Sequence, residues 1–200
     1  MKQCWPAPER NKGPIADVLE RVLLPGHSLL EIASGTGQHA AHFAQRWPEL
    51  TVHPSDLEPE NLRSIGAWVE ESQLPNLMQP VALDVRSAPW PVSMVDAIFN
   101  ANMIHISAWE CCIGLLEGAM RHLHPGGYLV LYGPFRIGGR HTAPSNEAFD
   151  RGLRARNPRW GVRDLEEVAS EAETRGLNLL ETVAMPANNQ TLIFVRTAMS

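Results

Sequence analysis

The 200-residue sequence predicts an α/β fold, in which helices cover both faces of a mostly parallel β-sheet. Short apolar runs alternate with longer segments of helical periodicity, an order typical of parallel strands joined by right-handed crossovers. The end of the chain differs, because two strand-like segments, 177–184 and 189–196, are separated only by a short connection. Strands joined so closely form a hairpin, so one strand near the end of the chain should run antiparallel.

The first half of the chain contains a regular series of predicted elements. Residues 1–13 are proline-rich and polar, and they form either a solvated tail or a lid that folds over a site. The apolar stripe that follows indicates an amphipathic helix that begins at Pro14 and ends before Pro25 and Gly26. The next predicted elements are a strand (28–32), a helix ending near residue 47, a strand (50–54), a helix (61–71) and a strand (77–83).

The second half continues this alternation before the terminal hairpin. Its predicted elements are a strand (94–99), a helix that ends near residue 124, a strand (128–132), a long loop (133 to about 146) and a helix (164–175). We expect a lid within the insertion 133–163, because loops of this length are usually functional or disordered. Asn188 and Asn189 should form the hairpin turn, since Asn tolerates a positive φ. No repeat or second domain is evident, so residues 1–200 are predicted to form a single domain.

Composition excludes several classes of function. The formal net charge is −5, without a basic run that would indicate binding to nucleic acid or to an anionic membrane. No apolar stretch approaches the roughly 20 residues needed to span a bilayer, and the first residues lack the apolar core of a signal peptide. The three cysteines and eight histidines form no disulfide framework, CxxC pattern or HExxH motif. We therefore expect a cytoplasmic protein without a functional metal, and the oligomeric state is left open.

A glycine-rich turn between the first predicted strand and the next helix is the most informative motif. Residues 35–40 fit the pattern G-x-G-x-x-G/A, and an acid, Asp56, lies 21 residues after Gly35. Glycines allow backbone N–H groups and a helix N-terminus to approach a nucleotide closely. Taken alone, this pattern is as compatible with NAD as with other nucleotides.

Three acidic residues narrow the choice of ligand. Glu31, Asp56 and Asp84 each stand at the end of one of the first three strands. In an open parallel sheet the carboxyl ends of the strands line the ligand crevice. Glu31 would repel a pyrophosphate and attract a cationic group. Three carboxylates favour a ligand rich in hydrogen-bond donors, such as an amine, ribose hydroxyls and an adenine amino group.

The segment Glu31-Ile32-Ala33-Ser34-Gly35-Thr36-Gly37 resembles motif I of S-adenosylmethionine-dependent class I methyltransferases, with Ala33 where a first glycine is usual. This resemblance implies S-adenosylmethionine as the cofactor and a Rossmann-like, seven-stranded sheet with an antiparallel strand in the C-terminal hairpin. It also implies which residues bind the methionine half, the ribose and the adenine. The implied cofactor-binding residues are Glu31, Ala33, Ser34, Gly35, Gly37, Asp56, Leu57, Asp84, Val85 and Asn100.

A longer series of motifs resembles one short domain-of-unknown-function methyltransferase family, which includes methyltransferase-like protein 26. The motifs, in chain order, are Arg10-Asn11-Lys12, His53-Pro54-Ser55-Asp56, Asn102-Met103-Ile104-His105, Tyr132-Gly133-Pro134-Phe135, Ser145-Asn146-x-x-Phe149-Asp150, Asn157-Pro158-x-Trp160-Gly161-x-Arg163-Asp164 and Met185-Pro186-Ala187-Asn188-Asn189. The likeness implies the fold and the cofactor, but it brings no substrate with it.

Candidate residues for the methyl acceptor follow the fourth and fifth predicted strands. His105 could accept the proton of an attacking hydroxyl, amine or thiol, or it could simply pack at the start of a helix. Tyr132 is the second candidate catalytic residue. Trp160 and Arg163 could be structural. The candidate substrate or lid residues are Arg10, Asn11, Met103, Phe135, Trp160 and Arg163.

The sequence thus predicts an enzyme that transfers a methyl group from S-adenosylmethionine to an oxygen, sulfur or nitrogen of a small molecule by direct displacement. Alignment of the reactants can supply much of the acceleration, so the need for a dedicated base is left open. Two alternatives are a Rossmann-type NAD(P)-dependent reductase and a non-catalytic cofactor-binding interaction module. The acidic balance and the lack of a separate substrate domain favour a small-molecule acceptor over protein or RNA.

Overall fold

A computed structural model describes residues 1–197, whose main feature is a seven-stranded mixed sheet with helices on both faces. The strands are β1 (Ser28–Ile32), β2 (Thr51–Asp56), β3 (Val81–Ala82), β4 (Val95–Ala101), β5 (Leu123–Gly133), β6 (Arg136–Ile137), β7 (Arg140–His141), β8 (Leu177–Met185) and β9 (Asn189–Arg196). The helices are α1 (Pro6–Leu19), α2 (Gln38–Arg46), α3 (Pro59–Ser72), α4 (Trp109–His122), α5 (Pro144–Arg156) and α6 (Leu165–Glu173), and a 3-10 turn covers Pro186–Asn188. None of the helices in residues 1–197 is long and apolar enough to cross a membrane.

The strand order is β3-β2-β1-β4-β5-β9-β8, while β6 and β7 form a separate two-stranded hairpin. In the sheet, the five neighbouring strands β3, β2, β1, β4 and β5 are parallel, whereas β9 runs antiparallel to both β5 and β8. The predicted mostly parallel sheet with an antiparallel C-terminal hairpin is therefore confirmed. The direction of winding reverses between β1 and β4, where Ile32 pairs with Asn100. A ligand crevice is expected at the carboxyl ends of these two strands.

Two apolar clusters, one on each face, hold the sheet between its helices. On β4, Ile98 packs in the cluster that includes Leu115 of α4, while the adjacent Phe99 packs in the other cluster. There its ring meets Phe43 of α2 edge-on, with the centroids 5.6 Å apart. Successive residues of a strand point to opposite faces, so a strand buried on both faces reads as a continuous apolar run. This burial fixes the strand ends that carry the site.

Helix α1 begins at Pro6 rather than at Pro14, so the prediction that residues 1–13 precede the first helix was wrong for residues 6–13. Proline is well suited to the first helical position, and this signal also applies to Pro6. Pro14 is accommodated inside the helix although it lacks the N–H that would bond to the carbonyl of Arg10. The buried residues of α1 all follow Pro14. The turns before Pro14 reach over the carboxyl ends of the strands.

Three other predicted segments were wrong in detail. Strand β3 is restricted to two residues, since Pro80 cannot donate to a ladder, and Leu77 makes only an isolated bridge to β2. The region predicted as a long loop contains the β6–β7 hairpin and the start of α5 at Pro144. In the terminal hairpin the positive φ angles belong to Ala187 (57°) and Asn188 (60°), while Asn189 already belongs to β9.

Candidate active site

The crevice at the carboxyl ends of β1, β2 and β4 opens into a cavity of about 380 Å³, which we call the first cavity. Its wall is formed by α1, the turn after β1, the ends of β2 and β3 and the segment after β4. A volume of this size lies within the range of small-molecule sites. Seven of the predicted cofactor-binding residues line it, namely Ala33, Ser34, Gly35, Asp56, Leu57, Asp84 and Val85.

The turn after β1 depends on three left-handed backbone conformations. The φ angles are 55° at Ala33, 57° at Gly35 and 92° at Gly37. A Cβ atom on Gly37 would lie 3.1 Å from the Cα of Ile65, so a side chain there would require α3 to shift by a few tenths of an ångström. A Cβ atom on Gly35 would meet only the ring of Trp5, at 3.7 Å. Gly37 therefore serves packing, whereas Gly35 leaves space on the cavity side.

Most of the N–H groups of this turn are already bonded within the protein. The Ser34 N–H donates to the Ser55 carbonyl (2.8 Å), and the Gly37 N–H donates to the Ser34 carbonyl (3.0 Å). The Gly35 N–H donates to Oδ2 of Asp56 at 2.8 Å. The N–H groups of Ser34, Gly35 and Gly37 are thus unavailable to a ligand phosphate.

Three carboxylates, Asp56, Glu58 and Asp84, and one guanidinium, Arg86, line the first cavity, so the net formal charge of its wall is negative. Asp56 is only 4 % exposed, and its Oδ1 accepts hydrogen bonds from the Glu58 N–H (2.9 Å) and the Asn61 amide (3.1 Å). Asp84 is held by Arg86, whose guanidinium donates to both carboxylate oxygens. These hydrogen bonds lower the pKa of Asp84, so it is ionised at neutral pH.

Three other predicted cofactor residues lie behind the cavity wall. Glu31 is buried, with Oε1 at 3.4 Å from Nδ1 of His39, and its Oε2 has no partner within residues 1–197. The Asn100 amide donates to the Ile32 carbonyl at 2.8 Å. Neither Glu31, Gly37 nor Asn100 lines the cavity. A direct contact of these residues with a cofactor stays a prediction.

The first turns of α1 cover the first cavity and are fixed there by α2. The Gln38 side chain accepts a hydrogen bond from the Trp5 N–H (2.6 Å) and donates to Glu9 (3.0 Å). His39 Nε2 lies 2.7 Å from Oδ1 of Asn11. Sequence reasoning missed Trp5 and His39 as lining residues. The available signal for Trp5 was the adjacent Pro6, because proline is favoured at the first position of a helix.

A second cavity of about 550 Å³ adjoins the first, and the two share Ala7, Asn11 and Asn102. The structure brings three predicted residues to its wall, Arg10, Asn11 and Tyr132, while Met103 lines the first cavity. The lining residues of the second cavity are Ala7, Arg10, Asn11, Asn102, Tyr132, Pro134, Asn146, Phe149, Pro186, Ala187 and Asn189. Asn146, Phe149 and Asn189 belong to motifs noted in the sequence, but no site role was predicted for them.

Tyr132 lies on the second cavity as a protonated phenol. Its side chain is 5 % exposed, and burial raises the pKa of the Tyr132 hydroxyl. A hydrogen bond with Asn11 and the charge of Arg10 oppose this shift without reversing it. At neutral pH the hydroxyl can therefore donate a hydrogen bond, but it does not serve as a base.

His105, the predicted base, lines neither cavity. Its ring is fully buried, and Nδ1 accepts a hydrogen bond from the Arg163 N–H at 3.2 Å. A Cβ atom on Gly133 would lie 2.3 Å from Nε2, and the Phe135 ring stands edge-on at a centroid distance of 4.8 Å. Burial lowers the pKa of His105 to about 3, so the ring is neutral. A catalytic role for His105 stays a prediction without support from its position.

The other predicted substrate or lid residues belong to the scaffold. The Arg163 guanidinium donates to the carbonyls of Ile104 (2.8 Å) and Ser107 (2.6 Å), and so ties the segment after β5 to that after β4. Phe135, Trp160 and Arg163 line neither cavity. Contact of these residues with a substrate is therefore not supported by the geometry.

Comparison with known proteins adds a family to this geometry. A family model described as "Protein of unknown function (DUF938)" matches residues 2–196. A curated relative, trans-aconitate 2-methyltransferase of Azoarcus sp. (strain BH72), is 33 % identical over 121 residues, which represent 59 % of this chain and 44 % of that protein.

Solved structures with the same fold include several methyltransferases. An O-methyltransferase family protein from Burkholderia thailandensis superimposes with a TM-score of 0.83 at 18 % identity, over 97 % of this chain and 58 % of that one. An O-methyltransferase family 2 protein from Planctomyces limnophilus, in complex with apigenin, superimposes with a TM-score of 0.78 at 20 % identity, over 96 % of this chain and 60 % of that one. The chain spans about half the length of these proteins, and the likeness demonstrates a class I methyltransferase fold.

Proposed function

The chain belongs to the DUF938 family of proteins of unknown function and has the class I methyltransferase fold, and from this premise we propose that it transfers the methyl group of S-adenosylmethionine to a small-molecule nucleophile. One observation carries the proposal. The first cavity, at the reversal point of the sheet, joins the glycine turn to the acids at the ends of β2 and β3 and adjoins a second cavity under α1.

The residues of the first cavity fit this cofactor. Gly35 has no Cβ on the side of Trp5, which leaves space against the turn. The carboxylates of Asp56 and Asp84 suit ribose hydroxyls and an adenine amino group, and Leu57 and Val85 provide apolar surface beside them. When bound, the cofactor supplies a methyl group activated by a sulfonium sulfur.

The hydrogen bonds of the turn favour S-adenosylmethionine over NAD. A dinucleotide needs free N–H groups for its pyrophosphate, but the N–H groups of Ser34, Gly35 and Gly37 are bonded internally. The carboxylate of Asp56, bonded to Gly35, would also repel a phosphate. These two observations argue against the alternative reductase function.

The protein residues contribute position and exclusion of water. The first turns of α1 close the first cavity through the hydrogen bonds of Gln38 and His39. Asn11 and Asn102 stand where the two cavities meet, and Tyr132 presents a hydroxyl on the acceptor side. Such alignment of two reactants accounts for a large share of the acceleration of a displacement reaction.

Two of the similar proteins support a small acceptor. The Azoarcus relative is named for trans-aconitate, and the Planctomyces protein was solved with apigenin. The acceptor cavity proposed here, about 550 Å³, lies within the range of sites for molecules of that class.

Titration calorimetry with S-adenosylhomocysteine tests the proposed function directly. We expect binding at micromolar strength, and release of S-adenosylhomocysteine from S-adenosylmethionine when an acceptor is present. A parallel fluorescence titration with NADH tests the reductase alternative. Binding of NADH without binding of S-adenosylhomocysteine would reject the proposal, and cofactor binding without turnover on any acceptor would favour the non-catalytic module.

A further inference from the structure

Resting on the proposed function, we infer that the methyl acceptor is a small carboxylic acid, whose carboxylate is held by Arg10 in the second cavity and receives the methyl group on oxygen. Two independent features of that cavity carry the inference: its charge, and the lack of a proton acceptor on its wall.

Arg10 is the only charged side chain that lines the second cavity in the described part of the chain. Within residues 1–197 it has no ion-pair partner, because the adjacent Glu9 is bonded to Lys12 and to Gln38. An arginine fork matches a carboxylate with two parallel hydrogen bonds. The remaining polar residues of the wall are amides and the Tyr132 phenol, none of which competes with an anion for Arg10.

Among residues 1–197, neither a histidine nor a carboxylate lines the second cavity. Tyr132 is protonated at neutral pH because burial raises its pKa, and His105 is buried behind the wall. In the first cavity, His39 is held between Asn11 and Glu31. A hydroxyl or protonated amine would have to lose a proton to a group that this wall does not offer. A carboxylate is already ionised at neutral pH and needs no base.

The proposed step is balanced without a proton. A carboxylate oxygen forms a bond to the methyl carbon while the carbon–sulfur bond breaks, and the electron pair of that bond moves to sulfur. The products are a methyl ester and S-adenosylhomocysteine. The positive charge of the sulfonium and the negative charge of the carboxylate disappear together, so no proton is released.

The experiment is a transfer assay on the intact chain with S-adenosylmethionine and a panel of small mono-, di- and tricarboxylic acids, each paired with its uncharged amide. Mass spectrometry identifies methyl esters, and a pH indicator in weak buffer counts protons per turnover. We expect transfer to acids and not to their amides, with no proton released. Equal transfer to both members of the pairs, transfer to none of the acids, or one proton per turnover would overturn the inference.

Two matched arginine variants locate the anion site. Arg10→Met should lower kcat/KM for the accepted acid by about 10- to 100-fold, the effect of losing a charged hydrogen-bonding partner. Arg151→Met is the control, since Arg151 is an exposed arginine of α5 that pairs with Glu147 and lines neither cavity. It should retain the wild-type value.

Calorimetry with S-adenosylhomocysteine separates this inference from the proposed function. Wild-type protein that binds no S-adenosylhomocysteine would contradict the proposed function itself. Unchanged transfer by Arg10→Met would contradict only the inference. Weaker binding of S-adenosylhomocysteine by the Arg10→Met variant would also overturn the inference, because Arg10 would then contact the carboxylate of the cofactor.

Discussion

The two cavities adjoin each other, but they differ in charge. The first presents the carboxylates of Asp56, Glu58 and Asp84, the last paired with Arg86, whereas the second presents the guanidinium of Arg10 among amides. A cationic donor and an anionic acceptor would each meet the opposite charge, and each would be repelled by the wrong cavity. Opposite charges in adjacent cavities are therefore sufficient to direct two oppositely charged reactants to different sites. Asn11, shared by both walls, lies at the boundary.

The cavities also differ in how the chain builds them. Much of the wall of the first comes from residues at the end of a strand or one to two residues beyond it, such as Ala33, Asp56 and Asp84. The wall of the second combines residues far apart in the chain, such as Arg10 and Asn189. The first wall is therefore set by local motifs, and the second by the packing of α1, α5 and the terminal hairpin.

The largest expected effect tests the acidic side of this contrast. Asp56→Ala removes the acceptor of the Gly35 N–H and the adjacent negative charge, so binding of S-adenosylhomocysteine should weaken by about 100-fold, as for loss of charge-assisted hydrogen bonds. Calorimetry measures the affinity, and circular dichroism checks the fold. Glu173→Ala, which removes an exposed acid at the end of α6, is the control. A change of less than threefold would remove the basis for assigning the acidic wall to the donor.

The second prediction concerns His105 and tests whether the acceptor side lacks a base. The folded pKa of His105 is about 3, and the unfolded value is 6.5. As the pH falls, His105 is therefore protonated in the unfolded chain before it is protonated in the folded chain. The stability that neutral His105 contributes is complete above pH 6.5 and is lost as the pH falls from 6.5 towards 3, with a loss on the order of a few kcal/mol by pH 4.5.

Denaturant unfolding of the wild type and of His105→Gln at pH 7 and pH 4.5 measures how the free energy of unfolding of each protein depends on pH. The variant should be less stable at pH 7, but its stability should depend less on pH than that of the wild type. His124→Gln, which replaces an exposed histidine, should keep the wild-type dependence. If His105→Gln abolished transfer with no effect on stability, the acceptor side would contain a base and the comparison of the cavities would fail.

The third prediction distinguishes two glycines of the turn after β1, one required for helix packing and one that leaves space for a ligand. Gly37→Ala should destabilise the fold by about 2 kcal/mol, because a Cβ atom would crowd Ile65 and the left-handed φ would be strained. Gly35→Ala adds strain of about 1 kcal/mol without a close contact, and should mainly weaken S-adenosylhomocysteine binding. Thermal unfolding and calorimetry on both variants provide the measurement. Equal effects of the two substitutions on binding and stability would contradict the distinction.

The smallest expected effect concerns the departure from motif I. Ala33 has a φ of 55°, a conformation that costs a non-glycine residue about 1–2 kcal/mol. Ala33→Gly should relieve this strain, but glycine also loses more entropy on folding, which leaves a gain of about 0.5 kcal/mol. Chemical denaturation with and without S-adenosylhomocysteine tests it. A loss of stability would show that the Ala33 methyl group packs favourably against the core.

The sequence was sufficient to predict the sheet, the terminal hairpin and the part of the first cavity formed by residues 33–35, 56–57 and 84–85, because strand-end acids and a glycine turn are local signals. It was insufficient for Trp5 and His39, whose positions depend on the docking of α1 against α2. His105 shows the same limit, since its place in the chain suggested a catalytic base. Packing of Phe135 and Gly133 around its ring buries it instead.

The proline inside α1 has a kinetic consequence. Residues after Pro14 are buried in the core, whereas residues before it are attached through side chains of α2, Gln38 and His39, and of α3, including Ser64 and Trp68. Pro14 omits one helical hydrogen bond between these two parts, so the covering turns can detach while the rest of the helix stays in place. Dissociation of a product from the first cavity would then wait for this detachment. The residence time of the product, and with it the maximal turnover rate, would be determined by a few hydrogen bonds remote from the reacting atoms.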